Sequence, residues 1–193
     1  MTVIIFIGYL MFSWQPLADQ GDVRVLDQFD RDLKWIQGQL FYKRKLWTGW
    51  VEEYYPNGQC KSESYYIRGK KSGEQYRWYY SGQLSSHRQY RFGKKTGTHM
   101  GWWENGHFKF KYQFQHGLEN GQRIEWQSNG NLFRTGEYVE GQEVGKHKRW
   151  DYEGNLISNY IIRGDRRFGL IGTKPCYSVS GDSAQELIVS NNF

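Results

Sequence analysis

The chain has 193 residues, enough for one ordinary domain with a core, and its 26 basic and 20 acidic residues leave a formal net charge of +6. Aromatic residues make up 18% of it, with 23 Gly, 3 Pro and 2 Cys, a composition that favours strands and tight turns, argues against a helical bundle and excludes a disulfide scaffold. The modest charge supports solubility and some attraction to anionic surfaces without marking a nucleic-acid binder.

Residues 1–33 form an N-terminal segment with an apolar run from Val3 to Phe12. The run is too short to span a membrane, which takes roughly 20 residues. It has the length of a signal-peptide core, with Pro16 after it and a cleavage position after Ala18, although no Lys or Arg precedes it. Export is the expectation, so a periplasmic or envelope-associated, extracytoplasmic location is favoured over the cytoplasm. The alternative is an apolar first strand or helix that packs on the domain as a cap.

From Lys34 the sequence repeats. Gly58, Gly82, Gly106, Gly130 and Gly154 each lie 24 residues from the last and define a position zero. Four residues earlier stand Tyr54, Trp78, Trp102, Trp126 and Trp150, and eight residues later stand Tyr66, Tyr90, Phe114 and Tyr138. Glycine returns at +11 (Gly69, Gly93, Gly117, Gly141) and at +15 (Gly73, Gly97, Gly121, Gly145, Gly169). In the fifth copy Gly164 falls one place early and Asp165 takes the slot. Gly49 fits the +15 phase one period earlier, so a degraded first copy is expected near Lys34. The array then covers 34–169, with a C-terminal tail over 170–193. Self-similarity at this period signals a repeat array.

Each copy reads as two strands and two turns. Pro56-Asn57-Gly58, Glu104-Asn105-Gly106 and Ser128-Asn129-Gly130 suit a three-residue hairpin loop that ends in a left-handed glycine. The second turn is expected between the paired glycines of "GKKSG" and "GKKTG". Strands joined by such short turns are antiparallel neighbours. The predicted fold is all-β, an elongated, twisted, single-layer antiparallel meander of ~24-residue β-hairpin repeats.

A three-residue loop pairs position −4 with +2, and strict alternation then puts every even position on one face. In the third copy that face carries Phe108, Phe110, Tyr112, Phe114, Ile124 and Trp126, in the second Leu84, Ser86, Arg88, Tyr90, Met100 and Trp102, and in the fourth Leu132, Arg134, Gly136, Tyr138, Lys148 and Trp150. The opposite face carries Lys109, Lys111, Gln113, Arg123 and Glu125. An aromatic face on five repeats exceeds the ~300–600 Å² largest patch of a typical soluble monomer, so it requires a cover. Candidates are the segment before Lys34, the tail after Gly169, a second copy, a lipid surface or a partner protein.

The recurring pattern "YYPNGQ...YYIRGKKSGEQYRWYY" resembles the MORN-repeat variant of bacterial proteins often described as toxin–antitoxin system antitoxins. The resemblance covers about 34–169. It implies a twisted antiparallel sheet that binds proteins or membranes, with the turn glycines and the aromatics at −4 and +8 defining the fold, and no catalytic residues. The antitoxin description implies neutralisation of a partner protein, a role at odds with an exported chain.

No catalytic, metal or cofactor constellation emerges from the residues. His99 and His147 share one repeat position two copies apart, and exposed histidines on the polar face are the expectation. Glu125 is expected opposite Phe133, with no acid–base pair. Cys60 occupies +2, where later copies have Leu84, Phe108, Leu132 and Leu156, and reads as a small apolar residue. Cys176, in "TKPC", is a candidate reactive thiol beside Lys174 or part of an end-cap loop. Aromatic and basic side chains on opposite faces disfavour nucleic acid. The expected function is a non-enzymatic interaction protein or accessory subunit that docks a larger partner or its own copy. The alternatives are an antitoxin-like neutralising protein, or a membrane-surface module using the basic turns "RGKKSG" and "FGKKTG".

Overall fold

The computed structural model describes residues 25–172, and all of their regular structure is strand. Fifteen strands follow in chain order. They are β1 (Val25–Asp27), β2 (Leu33–Ile36), β3 (Gln39–Tyr42), β4 (Lys45–Leu46), β5 (Gly49–Tyr54), β6 (Cys60–Ile67), β7 (Lys70–Trp78), β8 (Leu84–Arg91), β9 (Lys94–Trp102), β10 (Phe108–Gln115), β11 (Leu118–Trp126), β12 (Leu132–Val139), β13 (Gln142–Trp150), β14 (Leu156–Arg163) and β15 (Arg166–Leu170). Twelve make one sheet in the order β1-β5-β6 and onward to β15, an antiparallel meander that does not close into a barrel. Only β1 joins it out of sequence, parallel to β5. The chain divides into two compact units, Met1–Gly97 and Thr98–Phe193.

The local chemistry of the turns explains the repeat. Gly58 N–H donates to Tyr55 O at 2.9 Å and Tyr55 N–H to Gln59 O at 2.8 Å, which closes the three-residue loop Pro56-Asn57-Gly58. Gly58 sits at φ 83°, a left-handed conformation that costs other L-residues about 1–2 kcal/mol. Asn57, Asn105 and Asn129 each accept a hydrogen bond from the backbone N–H two residues on, an Asx turn that explains Asn before the glycine.

The second turn lies earlier than the paired glycines suggest. Its two residues are Arg68-Gly69, Phe92-Gly93, His116-Gly117 and Glu140-Gly141, all with positive φ at both positions, the type I′ geometry that matches strand twist. In the fifth copy only Gly164 is positive, at φ 59°, and Asp165 is not. The displaced glycine has therefore converted the turn to type II′, which demands glycine first. The +15 glycines lie inside strands, and at Gly73, Gly121 and Gly145 the register slips, so that Ser64 pairs with Gln75 but Tyr66 with Lys71, whereas Gly169 pairs with Tyr160 in an unbroken ladder.

A second slip overturns the expected division of faces. The −4 residue does pair with +2, as in Trp78 with Leu84, Trp126 with Leu132 and Trp150 with Leu156. The next pairs, however, are Arg77 with Ser86, Glu125 with Arg134 and Arg149 with Ser158, so one strand carries an extra residue. Residues directly opposite share a face. Positions −5 and −7 therefore join the aromatics at +8, and Met100, Ile124 and Lys148 do not. Glu125 lies opposite Arg134, not Phe133. The protected face is consequently a mixture of Ser, Gln, His, Glu, Tyr and Phe, not a purely aromatic one.

In the first unit this face has a cover. No three-residue loop forms at Lys34, which lies within β2, and the expected degraded copy is instead the separate three-stranded sheet β2-β3-β4. Leu40, Trp47, Val51 and Tyr66 form a buried cluster there, with Leu26, Leu33 and Tyr42 against it. Gly69 N–H donates to Trp47 O at 2.7 Å and Leu40 N–H to Gly69 O at 2.8 Å, tying the small sheet to the first type I′ turn. Full burial of Leu40 contributes roughly 1.5–3 kcal/mol.

Candidate functional site

The aromatics at −4 and +8 separate into two environments. At +8, Tyr66, Phe114 and Tyr138 are buried and Tyr90 is half-buried. At −4, Trp78, Trp102, Trp126 and Trp150 are half-buried, while Tyr54 is exposed and donates its hydroxyl hydrogen bond to Glu52. That hydrogen bond pushes the Tyr54 phenol up to about 12. In the second unit the −4 and +2 side chains pair across the hairpin loops. Phe108 lies 5.8 Å from Trp102 and 5.4 Å from Trp126 between ring centroids, Leu132 pairs with Trp126, and Leu156 pairs with Trp150. Phe108, Leu132 and Leu156 are 45%, 36% and 42% exposed. The glycines at zero, Gly58, Gly82, Gly106, Gly130 and Gly154, close the loops at one end of each hairpin and so fix the spacing of the row.

Lys109, Lys111, Lys146 and Lys148 stand in the strands that carry this row, and none has a carboxylate partner among the described residues. Lys109 lies over the Trp103 ring at 4.2 Å.

Most charged groups on the protected face of the second unit are paired, although Arg149, opposite Arg134, has no carboxylate partner among the described residues. Glu125 accepts hydrogen bonds from Tyr112 Oη at 2.6 Å, Arg123 Nε at 2.9 Å and Arg134 Nη2 at 2.7 Å. Burial alone would raise the Glu125 carboxyl, but these donors outweigh it and hold it below the usual carboxylate value. Burial, followed by the bond to Glu125, pushes Tyr112 up to about 12. Arg123 also reaches Glu119 at 3.3 Å, and Arg167 reaches Glu143 at 2.9 Å. His99 and His147 belong to this face and are only 2% and 3% exposed, contrary to the expectation of solvent-exposed histidines. His99 packs on Phe114 with ring centroids 4.5 Å apart, and His147 stacks on Tyr160 at 5.2 Å while bonding Val144 O through Nε2 at 3.0 Å. The slip between −5 and −4 puts them there, a signal that strict alternation could not carry.

The first unit differs. A cavity of about 230 Å³ opens between its protected face and the covering small sheet, with Lys71, Gln75, Arg77, Ser64 and Tyr66 on the polar side. Gln75 is buried and donates Nε2–H to Ser64 Oγ at 2.9 Å, but its Oε1 has no partner.

Cys60 is half-buried, and burial, then the charges of Glu52 and Glu63, raise its thiol, an environment of low reactivity. Cys176 and the N-terminal run Val3–Phe12 with Ala18 lie outside the described residues. Among the described residues no group of three or more His, Cys, Asp or Glu is arranged to hold a metal ion, and no helix is long and apolar enough to cross a membrane. Compared with protein-family models and with curated proteins, the chain matches none.

Proposed function

We propose that the protein is a non-enzymatic interaction module, a MORN-like repeat sheet that binds a partner protein through the row Trp102, Phe108, Trp126, Leu132, Trp150 and Leu156. One observation carries the reading. Trp102, Phe108 and Trp126 pack in sequence, Trp126 pairs with Leu132 and Trp150 with Leu156, all partly exposed, on strands whose Lys109, Lys111, Lys146 and Lys148 lack carboxylate partners among the described residues. Aromatic anchors rimmed by charge are the usual composition of an interface centre. The partner that fits is a protein presenting acidic and apolar groups. Use of the basic turns on a lipid surface has less support, because Lys71 of "RGKKSG" turns inward to the Tyr90 ring at 5.5 Å.

The test places a photo-crosslinking side chain at Leu132 or Leu156 in the native cell, with Phe29 as the control position. One stoichiometric protein adduct is expected from both row positions, absent from Phe29 and lost when Trp126→Ala is added. Adducts that are identical at all three positions, or no protein adduct, would overturn the assignment. The cell fraction that holds the partner then separates an exported accessory subunit from a cytoplasmic neutralising protein.

A further inference from the structure

We propose that the cavity of the first unit binds a small organic acid that carries a hydroxyl group beside its carboxylate and has an apolar tail. The argument starts in the backbone. Ser64 and Tyr66 are two residues apart on β6, yet their partners on β7, Gln75 and Lys71, are four apart. The slip at Ser72–Glu74 thus gathers an amide and an ammonium at adjacent pair positions on one face, with Arg77 next in line opposite Ser62.

The gathered groups are incomplete. The position of Lys71, five residues after the +8 aromatic, carries Glu119 and Glu143 in the second unit, each ion-paired with an arginine. Lys71 and Arg77 have no carboxylate partner among the described residues, although Glu52 and Glu53 also line the cavity. Those carboxylates are already engaged, Glu53 by Lys61 at 2.6 Å and Ser62, and Glu52 by Tyr54. Burial, followed by repulsion from Arg77 and Arg88, brings the Lys71 amine down to about 8. An anion is therefore the missing component.

Gln75 adds the second requirement. Its Oε1 is buried without a donor, and an unpaired buried acceptor is unfavourable. A bare carboxylate offers no hydrogen to it, whereas a hydroxyl beside the carboxylate does. Ser64 Oγ accepts from Gln75 and keeps its own hydrogen for the ligand. Leu33, Trp35, Leu40 and Val51 supply an apolar wall, and about 230 Å³ limits the ligand to a small molecule.

Calorimetry on the full chain uses 3-phenyllactate, 3-phenylpropionate and inorganic phosphate as probes. Phenyllactate is expected to bind more tightly than phenylpropionate, and Lys71→Met to weaken it by about tenfold or more. Gln75→Leu should erase the preference for the hydroxylated acid. A second readout uses the unaltered protein: acetylation of Lys71 at pH 8, followed by mass spectrometry, should slow with phenyllactate and not with phosphate at equal ionic strength. Absence of phenyllactate binding, equal protection by phosphate, or a hydroxyl preference that survives Gln75→Leu would overturn the proposal.

Discussion

Glu125→Gln probes the charged centre of the second unit. The substitution keeps shape and removes the charge that Tyr112, Arg123 and Arg134 converge on. Hydrogen bonds to a charged group contribute about 1.5–3 kcal/mol each, and breaking a fully buried ion pair costs roughly 3–5 kcal/mol. Two features lower the figure. Arg123 keeps Glu119 at 3.3 Å, and the Arg134 side chain is 36% exposed, so water screens its orphaned charge. The expected loss is about 2–4 kcal/mol at pH 7. Urea unfolding followed by tryptophan fluorescence measures it. The pH dependence supplies the sharper check. The folded carboxyl lies below its ordinary value of 4.5, so its stabilisation is present above that value and is lost as pH falls through the folded one. The gap between the two proteins should therefore close on acidification. A loss under about 1 kcal/mol at pH 7, or a gap unchanged at pH 3, would refute the assignment of Glu125 as an ionised hub.

Two glycine substitutions separate crowding from backbone strain. A Cβ at Gly136 would lie 2.6 Å from His147 Nδ1, and His147 is buried against Tyr160, so Gly136→Ala should lose about 1–3 kcal/mol in thermal unfolding. An unchanged midpoint would mean that the His147 ring moves aside freely. Gly164→Ala meets nothing within 4 Å, so only its φ of 59° penalises it, by about 1–2 kcal/mol. Gly164→Asn should lose about as much, because Asn is eased only in the left-handed helical region and not at the first position of a type II′ turn, and a clearly smaller loss for Asn would refute the type II′ reading.

The meander, its period and its three-residue loops were legible because glycine, asparagine and aromatic residues recur at fixed spacing and each answers a local stereochemical demand. The face assignment was not. Alternation holds within a strand, but the extra residue between Trp126 and Arg134 reverses which side the preceding residues take, and no residue type marks that place. Hence His99, His147 and Glu125 read as exposed and are buried. The fate of the segment before Gly49 was equally hidden, because β1 joins the sheet parallel to β5 through contacts distant in sequence. The Lys71–Gln75 cavity depends on both effects, a slip in register and a cover from outside the array.

Successive loops are also stitched directly to one another. Trp103 Nε1–H donates to Trp126 O at 3.1 Å, Asn105 to Ser128 O at 2.6 Å, and Asn129 to Tyr152 O at 2.9 Å, each across about one repeat. Such links reach only the adjacent copy. The length of the protein is therefore quantised in sequence: gain or loss of 24 residues returns every donor to an equivalent acceptor, whereas a change of 23 would present each one with a misplaced loop. Duplication of whole copies is thus the route by which this sheet can lengthen its aromatic row without redesigning a single turn.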